Sequence, residues 1–164
     1  MIPIISIVGR SNTGKTTLIE KLVPELSRRG YRVAVIKHAA RGFEIDREGK
    51  DSWRYKKAGT YKIVLISPKE LALMEVFERE YNVEELMDLY IKDADVVLLE
   101  GHKDNPYPMI EMLRKGVEPL PWDGKEHQLI AFVGDKSQDA GIPHFHVDEI
   151  QKLADFLEER YLRR

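Results

Sequence analysis

At 164 residues, 43% of them hydrophobic, the chain suits one globular domain over 1–164, and a formal net charge of −2 argues against bulk nucleic-acid binding. The absence of cysteine excludes disulfides, thiolate zinc sites and cysteine nucleophiles. No apolar run approaches the roughly 20 residues of a membrane span, so a soluble cytoplasmic protein is expected.

Ile4 to Val8 is a short β-branched apolar run closed by Gly9, the pattern of a strand buried on both faces. Lys15 to Arg29 carries Leu18, Ile19, Leu22, Val23 and Leu26 at helical spacing, with Pro24 inside and Gly30 as the stop. Arg32 to Lys37 is a second strand, and this strand–turn–helix–strand order predicts a βαβ unit in a parallel sheet. His38 to Lys50 is polar and aperiodic, hence a long loop, and Asp51 to Ala58 is a short helix capped around Asp51 or Ser52. Tyr61 to Ile66 and Leu71 to Phe77 read as strands, and Asn82 caps a helix over Val83 to Tyr90. Asp95 to Leu99 is a clear buried strand. Met109 to Leu113, set among four prolines and two glycines between Asn105 and Gly124, reads as an edge strand. Gln128 to Val133 and Pro143 to Val147 are further strands, and an amphipathic helix starts at Asp148. The whole predicts one α/β three-layer domain, a P-loop NTPase fold with a mostly parallel sheet.

The chemistry concentrates in the turn after the first strand. Gly9-Arg10-Ser11-Asn12-Thr13-Gly14-Lys15-Thr16 satisfies every fixed position of the phosphate-binding P-loop motif. Gly9 permits the sharp turn, and Gly14 lets backbone N–H groups of the loop, Asn12 and Thr13 included, close on phosphate oxygens. Lys15 reaches the β- and γ-phosphates, Thr16 offers a hydroxyl to Mg²⁺, and Thr17 offers one to the α-phosphate. A purine nucleoside triphosphate with Mg²⁺ is the expected ligand, with GTP favoured.

Four acidic residues are candidates for the rest of the site, Asp51 among them as a candidate Mg²⁺ partner beside Lys50 and Arg54, which could meet phosphate. Glu100 stands at the carboxyl end of the Asp95 to Leu99 strand, the end that faces the ligand crevice in open α/β sheets, and suits a metal-bound or attacking water. Asp46 lies in the loop after the second strand and is a candidate for Mg²⁺ or catalysis. Asp135 follows the Phe132-Val133-Gly134 run where a carboxylate can accept from guanine N–H groups, although no N-K-x-D motif is present. His102 and Lys103 follow Glu100 into the crevice. His38, with no second histidine or cysteine nearby in sequence, reads as structural rather than as a ligand.

The stretches IISIVGRSNTGKTTLIEKLVPEL, RVAVIKHAARGFEIDREGKDSWRYKKAG, DVVLLEGHKDNPYPMIEMLR and LIAFVGD together resemble the MobB family, molybdopterin-guanine dinucleotide biosynthesis protein B. The resemblance covers nearly the whole chain. It implies GTP and Mg²⁺ binding, weak GTP hydrolysis, a homodimer, and work alongside the guanylyltransferase MobA on molybdopterin or its molybdenum form. It also implies that Gly9, Gly14, Lys15, Thr16 and Thr17 hold the triphosphate, and it strengthens Asp46 and Glu100 for the metal and water side. Lys37, Gly49, Lys50, Asp51, Ser52 and Arg54 belong to the family's loop without individual tasks. One departure is Ala39-Ala40-Arg41-Gly42, where family members often carry a second histidine. The competing expectation is a small-molecule kinase using ATP. Such an enzyme brings an arginine-bearing lid, and the scattered arginines here disfavour it.

Overall fold

In a computed structural model, residues 2–122, 124–135 and 141–162 are described. The elements in chain order are β1 (Ile4–Val8), α1 (Lys15–Arg28), β2 (Val33–Lys37), α2 (Asp51–Lys57), β3 (Lys62–Ile66), β4 (Leu71–Glu75), α3 (Val83–Tyr90), β5 (Val96–Glu100), β6 (Met109–Leu113), β7 (Leu129–Gly134), β8 (His144–Phe145) and α4 (Ile150–Arg160), with a 3₁₀ turn at Glu126–Gln128. They form two compact units. One comprises the chain up to His38 and again from Ile91; the other is Ala39–Tyr90.

The first unit is built on a six-stranded sheet in the order β2-β5-β1-β6-β7-β8, with every described pair parallel. Strands β1 and β5 are buried at every position, which fits their near-continuous apolar runs, the pattern of strands inside a parallel sheet. Ile5, Ile7, Leu98, Ile110 and Val133 from the sheet interlock with Leu18, Leu22 and Leu26 of α1 and Leu153 and Leu157 of α4. Arg29 ties the two helices together. Its guanidinium donates to Glu25 at 2.7 Å, to Asp155 at 2.6 Å, to the Gln151 carbonyl at 3.1 Å, and to Glu158.

β6 is not an edge strand. It lies between β1 and β7, with all five residues buried. The polar exception, Glu111, is tolerated there because its carboxylate accepts from the Leu120 N–H at 2.6 Å and the Trp122 indole N–H at 2.9 Å. The surrounding prolines therefore mark the connections and not the strand's position. α4 begins at Ile150 instead of Asp148, whose carboxylate turns to Lys21 at 2.8 Å.

In the second unit β3 and β4 pair as an antiparallel hairpin, with Lys62 opposite Glu75 and Ile66 opposite Leu71. α2 starts after Lys50 with no side-chain cap, against the expectation of one at Asp51 or Ser52; Ser52 is buried instead. α3 has the expected cap. Asn82 Oδ1 accepts from the Glu85 N–H at 2.8 Å, and Glu85 accepts from the Asn82 N–H at 3.0 Å, a reciprocal capping box.

Candidate functional site

The turn between β1 and α1 is shaped by backbone that only certain residues tolerate. Gly9 sits at φ +144°, and a Cβ there would lie 2.9 Å from Thr13 Oγ1 and 3.0 Å from the Met112 carbonyl oxygen. Asn12 and Gly14 are left-handed at φ +61° and +99°. Thr13 Oγ1 donates to the Arg10 carbonyl at 2.9 Å and Arg114 donates to the Asn12 carbonyl at 2.6 Å, so both sides of the loop are pinned. No side chain caps α1, which leaves the N–H groups of its first turn for an anion. Lys15 Nζ crosses the loop to donate to the carbonyls of Gly9 at 3.0 Å and Arg10 at 2.8 Å.

Parallel register sets Glu100 of β5 opposite both Ile7 of β1 and Lys37 of β2. Glu100 is buried, its Oε1 accepting from the Thr16 hydroxyl at 3.2 Å and pairing with Lys37 Nζ at 3.2 Å. Burial pushes the Lys15 ammonium below its ordinary value; Glu100 opposes that shift and Lys37 adds to it. Two lysines, a carboxylate and a hydroxyl thus converge at the carboxyl ends of three adjacent strands. Their oxygens, hard and anionic or neutral, suit Mg²⁺, and the lysines suit phosphate.

Beyond this cluster the rings of His38 and His102 meet edge to face, with centroids 4.6 Å apart. The sequence suggested no such pair, because 63 intervening positions separate the two; spatially His102 stands against His38 where Ala39–Gly42 supply no second histidine. The Gly101 N–H donates to the Ile7 carbonyl at 3.0 Å, and His102 at φ +49° continues that turn. Asn105 fixes it from below by donating to Ser6 Oγ at 2.9 Å and to the His102 carbonyl. Lys103 is exposed. Lys37 and Arg114 are the residues that sequence reasoning left without a task. A lysine closing an apolar strand was the only available signal for the first, and nothing marked the second.

Asp135 shares a cleft of about 230 Å³ with Thr13, Gly14, Thr17 and Arg114. One of its oxygens accepts from the Lys115 N–H at 2.8 Å, and the side chain is otherwise exposed. The first unit therefore contains Gly9 to Thr17, Glu100 and Asp135 together. Asp46 belongs to the second unit. Its Oδ1 accepts from the Arg47 N–H at 3.0 Å, while Oδ2 is buried with no hydrogen-bond donor among the described residues. Gly49, Lys50, Asp51 and Arg54 are exposed.

The sequence profile of the family described as MobB, "Molybdopterin guanine dinucleotide synthesis protein B", matches residues 4–135. A Haemophilus influenzae protein named "Molybdopterin-guanine dinucleotide biosynthesis adapter protein" is 36% identical over 96% of this chain and 88% of its own length. Its Escherichia coli namesake is 32% identical over 97% and 93%. Among solved structures, one of "molybdopterin-guanine biosynthesis protein B (mobB)" superposes with a TM-score of 0.75 at 32% identity, covering 95% of this chain and 98% of that one. Bacillus subtilis MobB superposes with a TM-score of 0.72 at 29% identity, over 94% and 98%.

Proposed function

The chain belongs to the MobB family, and on that premise we propose that it is a GTP-binding adapter protein of molybdopterin-guanine dinucleotide biosynthesis. In this reading it binds GTP with Mg²⁺, hydrolyses GTP slowly, and serves the cytoplasmic guanylyltransferase MobA in attaching a guanosine nucleotide to molybdopterin or its molybdenum form. The observation that carries the nucleotide part is the hydrogen bond from the Thr16 hydroxyl to Glu100 at the open N-terminus of α1. It joins a hydroxyl and a carboxylate of the kind that Mg²⁺ takes, beside a lysine already turned toward the loop.

The phosphates lie on the backbone N–H groups of Gly9 to Thr17, and Lys15 neutralises the charge that develops between the β- and γ-phosphates. Thr16 and Glu100 would hold Mg²⁺, which when bound supplies further neutralisation of the triphosphate. Glu100 also orients a water for in-line attack at the γ-phosphorus, with the ion pair to Lys37 holding the carboxylate in place. Asp135 accepts from the guanine N–H edge and gives GTP its advantage over ATP.

A homodimer is part of the same reading. Every exposed large hydrophobic residue among those described, except Val35, falls within residues 39–90, and a second copy is the partner that covers them. No helix among the described residues is long and apolar enough to cross a membrane.

Calorimetric titration with GTP, ATP and their nonhydrolysable analogues, with and without Mg²⁺, tests the assignment. Tight Mg²⁺-dependent binding with GTP preferred is the expected result. A preference for ATP would instead favour a small-molecule kinase.

A further inference from the structure

Arg114 has no part in the chemistry above, yet it holds one peptide of the phosphate loop. It follows the carboxyl end of β6, which runs parallel to β1 with Glu111 opposite Val8, so its side chain reaches the turn that β1 feeds. There its guanidinium donates to the Asn12 carbonyl at 2.6 Å. The footing is firm. The Asp135 carboxylate accepts from the Lys115 N–H at 2.8 Å, and Gly134 of β7 packs so closely on the Leu113 carbonyl that a Cβ has no room. Both neighbours of Arg114 are thus tied to β7, and a side chain rooted on fixed backbone places its partner more exactly than one on a loose loop. Asn12 is left-handed at φ +61°, a conformation that asparagine visits more readily than most residues but that neighbours must still hold. Because a trans peptide is planar, its C=O and N–H point opposite ways. Turning the Asn12 carbonyl to Arg114 therefore turns the Thr13 N–H to the other side. Two more loop carbonyls are held differently. Gly9 and Arg10 accept from Lys15 Nζ, and Arg10 also accepts from Thr13 Oγ1. On the nucleotide reading Lys15 gives up both carbonyls for the β- and γ-phosphates, whereas the bond from Arg114 stays.

We propose that Arg114 is a positioning residue for the phosphate loop: its bond to the Asn12 carbonyl keeps the Thr13 N–H aimed at the polyphosphate once Lys15 has released the loop. The inference rests on the nucleotide reading above and adds to it a residue outside the Gly9 to Thr17 motif. It also joins the two ends of the ligand. Asp135, the acceptor for the guanine edge, fixes the Lys115 N–H, and the adjacent Arg114 fixes the loop, so the groups that meet base and phosphate share one support. Arg114 and Asp135 line the same cleft of about 230 Å³ beside Thr13 and Gly14. The test has to separate positioning from direct contact of the guanidinium with base or phosphate.

The full-length protein, as wild type and as Arg114→Ala, is titrated in the calorimeter with GTP and Mg²⁺. A separate titration uses tripolyphosphate and Mg²⁺, which brings the phosphates without the base. Backbone ¹⁵N relaxation is measured on each protein before ligand is added. Arg114→Ala should weaken both ligands roughly tenfold, as loss of one charge-assisted hydrogen bond implies. Order parameters of Asn12, Thr13 and Gly14 should fall from about 0.85 to below about 0.6, while those of β1 and α1 stay rigid. The denaturant midpoint should hardly move, because Arg114 is exposed. Arg114→Lys, which keeps a donor for the single bond, should recover most of both losses. A loss confined to GTP would assign Arg114 to the base, and a loss for both ligands with unchanged order parameters would assign it to the phosphates. Either result overturns the proposal. Normal binding by the wild type with unchanged affinity in Arg114→Ala removes the positioning role alone. If the wild type takes up neither ligand, the nucleotide reading falls, and the hold of Arg114 on the loop falls with it only if the order parameters are also unchanged.

Discussion

Two runs of similar composition end up in opposite surroundings. Val96–Glu100 of β5 is buried at every position, whereas Lys62–Ile66 of β3 is exposed from Val64 onward, with Ile66 at 81%. Both are β-branched and apolar. The difference lies in topology. β5 has a hydrogen-bonded neighbour on each side and covered faces, as parallel βαβ connections provide. β3 has one antiparallel partner in a two-stranded sheet, an arrangement that is marginal by itself in water. An apolar strand is thus core only where the chain supplies layers to cover it. Where it does not, the exposed surface is available to a second copy.

The sharpest way to test that contrast is to overpack the first unit. Gly134 closes β7 at φ +151°, and a Cβ there would lie 1.8 Å from the Leu113 carbonyl oxygen. Gly134→Ala should cost more than about 4 kcal/mol, read from denaturant unfolding. A near-normal midpoint would mean that the β6–β7 pairing is looser than its register implies.

Next in size is Lys15→Ala, expected to weaken triphosphate binding by about 3 kcal/mol, roughly a hundredfold, in the calorimeter. Unchanged affinity would dismiss the phosphate loop as the site. Glu100→Gln should retain nucleotide binding but slow hydrolysis roughly tenfold to a hundredfold in single-turnover assays. Equal rates would take Glu100 out of the mechanism.

In the second unit the same kind of measurement should give a different pattern. Ile66→Ser should change the stability of the isolated protomer by less than about 0.5 kcal/mol, yet shift sedimentation toward monomer. A large loss of protomer stability would show that Ile66 is core after all, and an unaltered dimer would move the interface elsewhere.

The smallest effect concerns pH. Hydrogen bonds from Arg28 and then Arg29 hold the Glu25 carboxyl at about 2, down from 4.5. Because the folded value is the lower one, this contribution is complete above pH 4.5 and fades as the pH falls toward 2. The thermal midpoints of wild type and Glu25→Gln should accordingly converge in that window. The gap above it will be modest, since Arg28 is solvent-screened. A constant gap across the window would remove the ion pair as its source.

The shape of the loop from Gly9 to Thr17 was legible in the sequence because its requirements are local. Gly9, Gly14, Lys15 and Thr16 act through dihedral freedom, a backbone N–H array and short side-chain reach, all fixed by spacing along one turn. Glu100 was legible for a related reason: an apolar run that ends in a carboxylate identifies the carboxyl end of a buried strand. The Asn82 cap belongs to the same class, being settled within four residues.

The pairing of Lys37 with Glu100, the ring contact of His38 with His102, and the hold of Arg114 on Asn12 each join segments tens of residues apart. They depend on strand order and register, to which no local pattern gives access. The central place of β6 was hidden similarly, because its prolines describe the connections while Glu111 finds its partners only after 119–122 folds back over it. By itself, then, the sequence determined the elements and the glycine turn between β1 and α1, since these follow from periodicity and local backbone sterics. Tertiary structure alone decided which apolar strands became core, which charges met, and where a cavity remained, because burial and long-range pairing are properties of neighbours that the chain brings together only on folding.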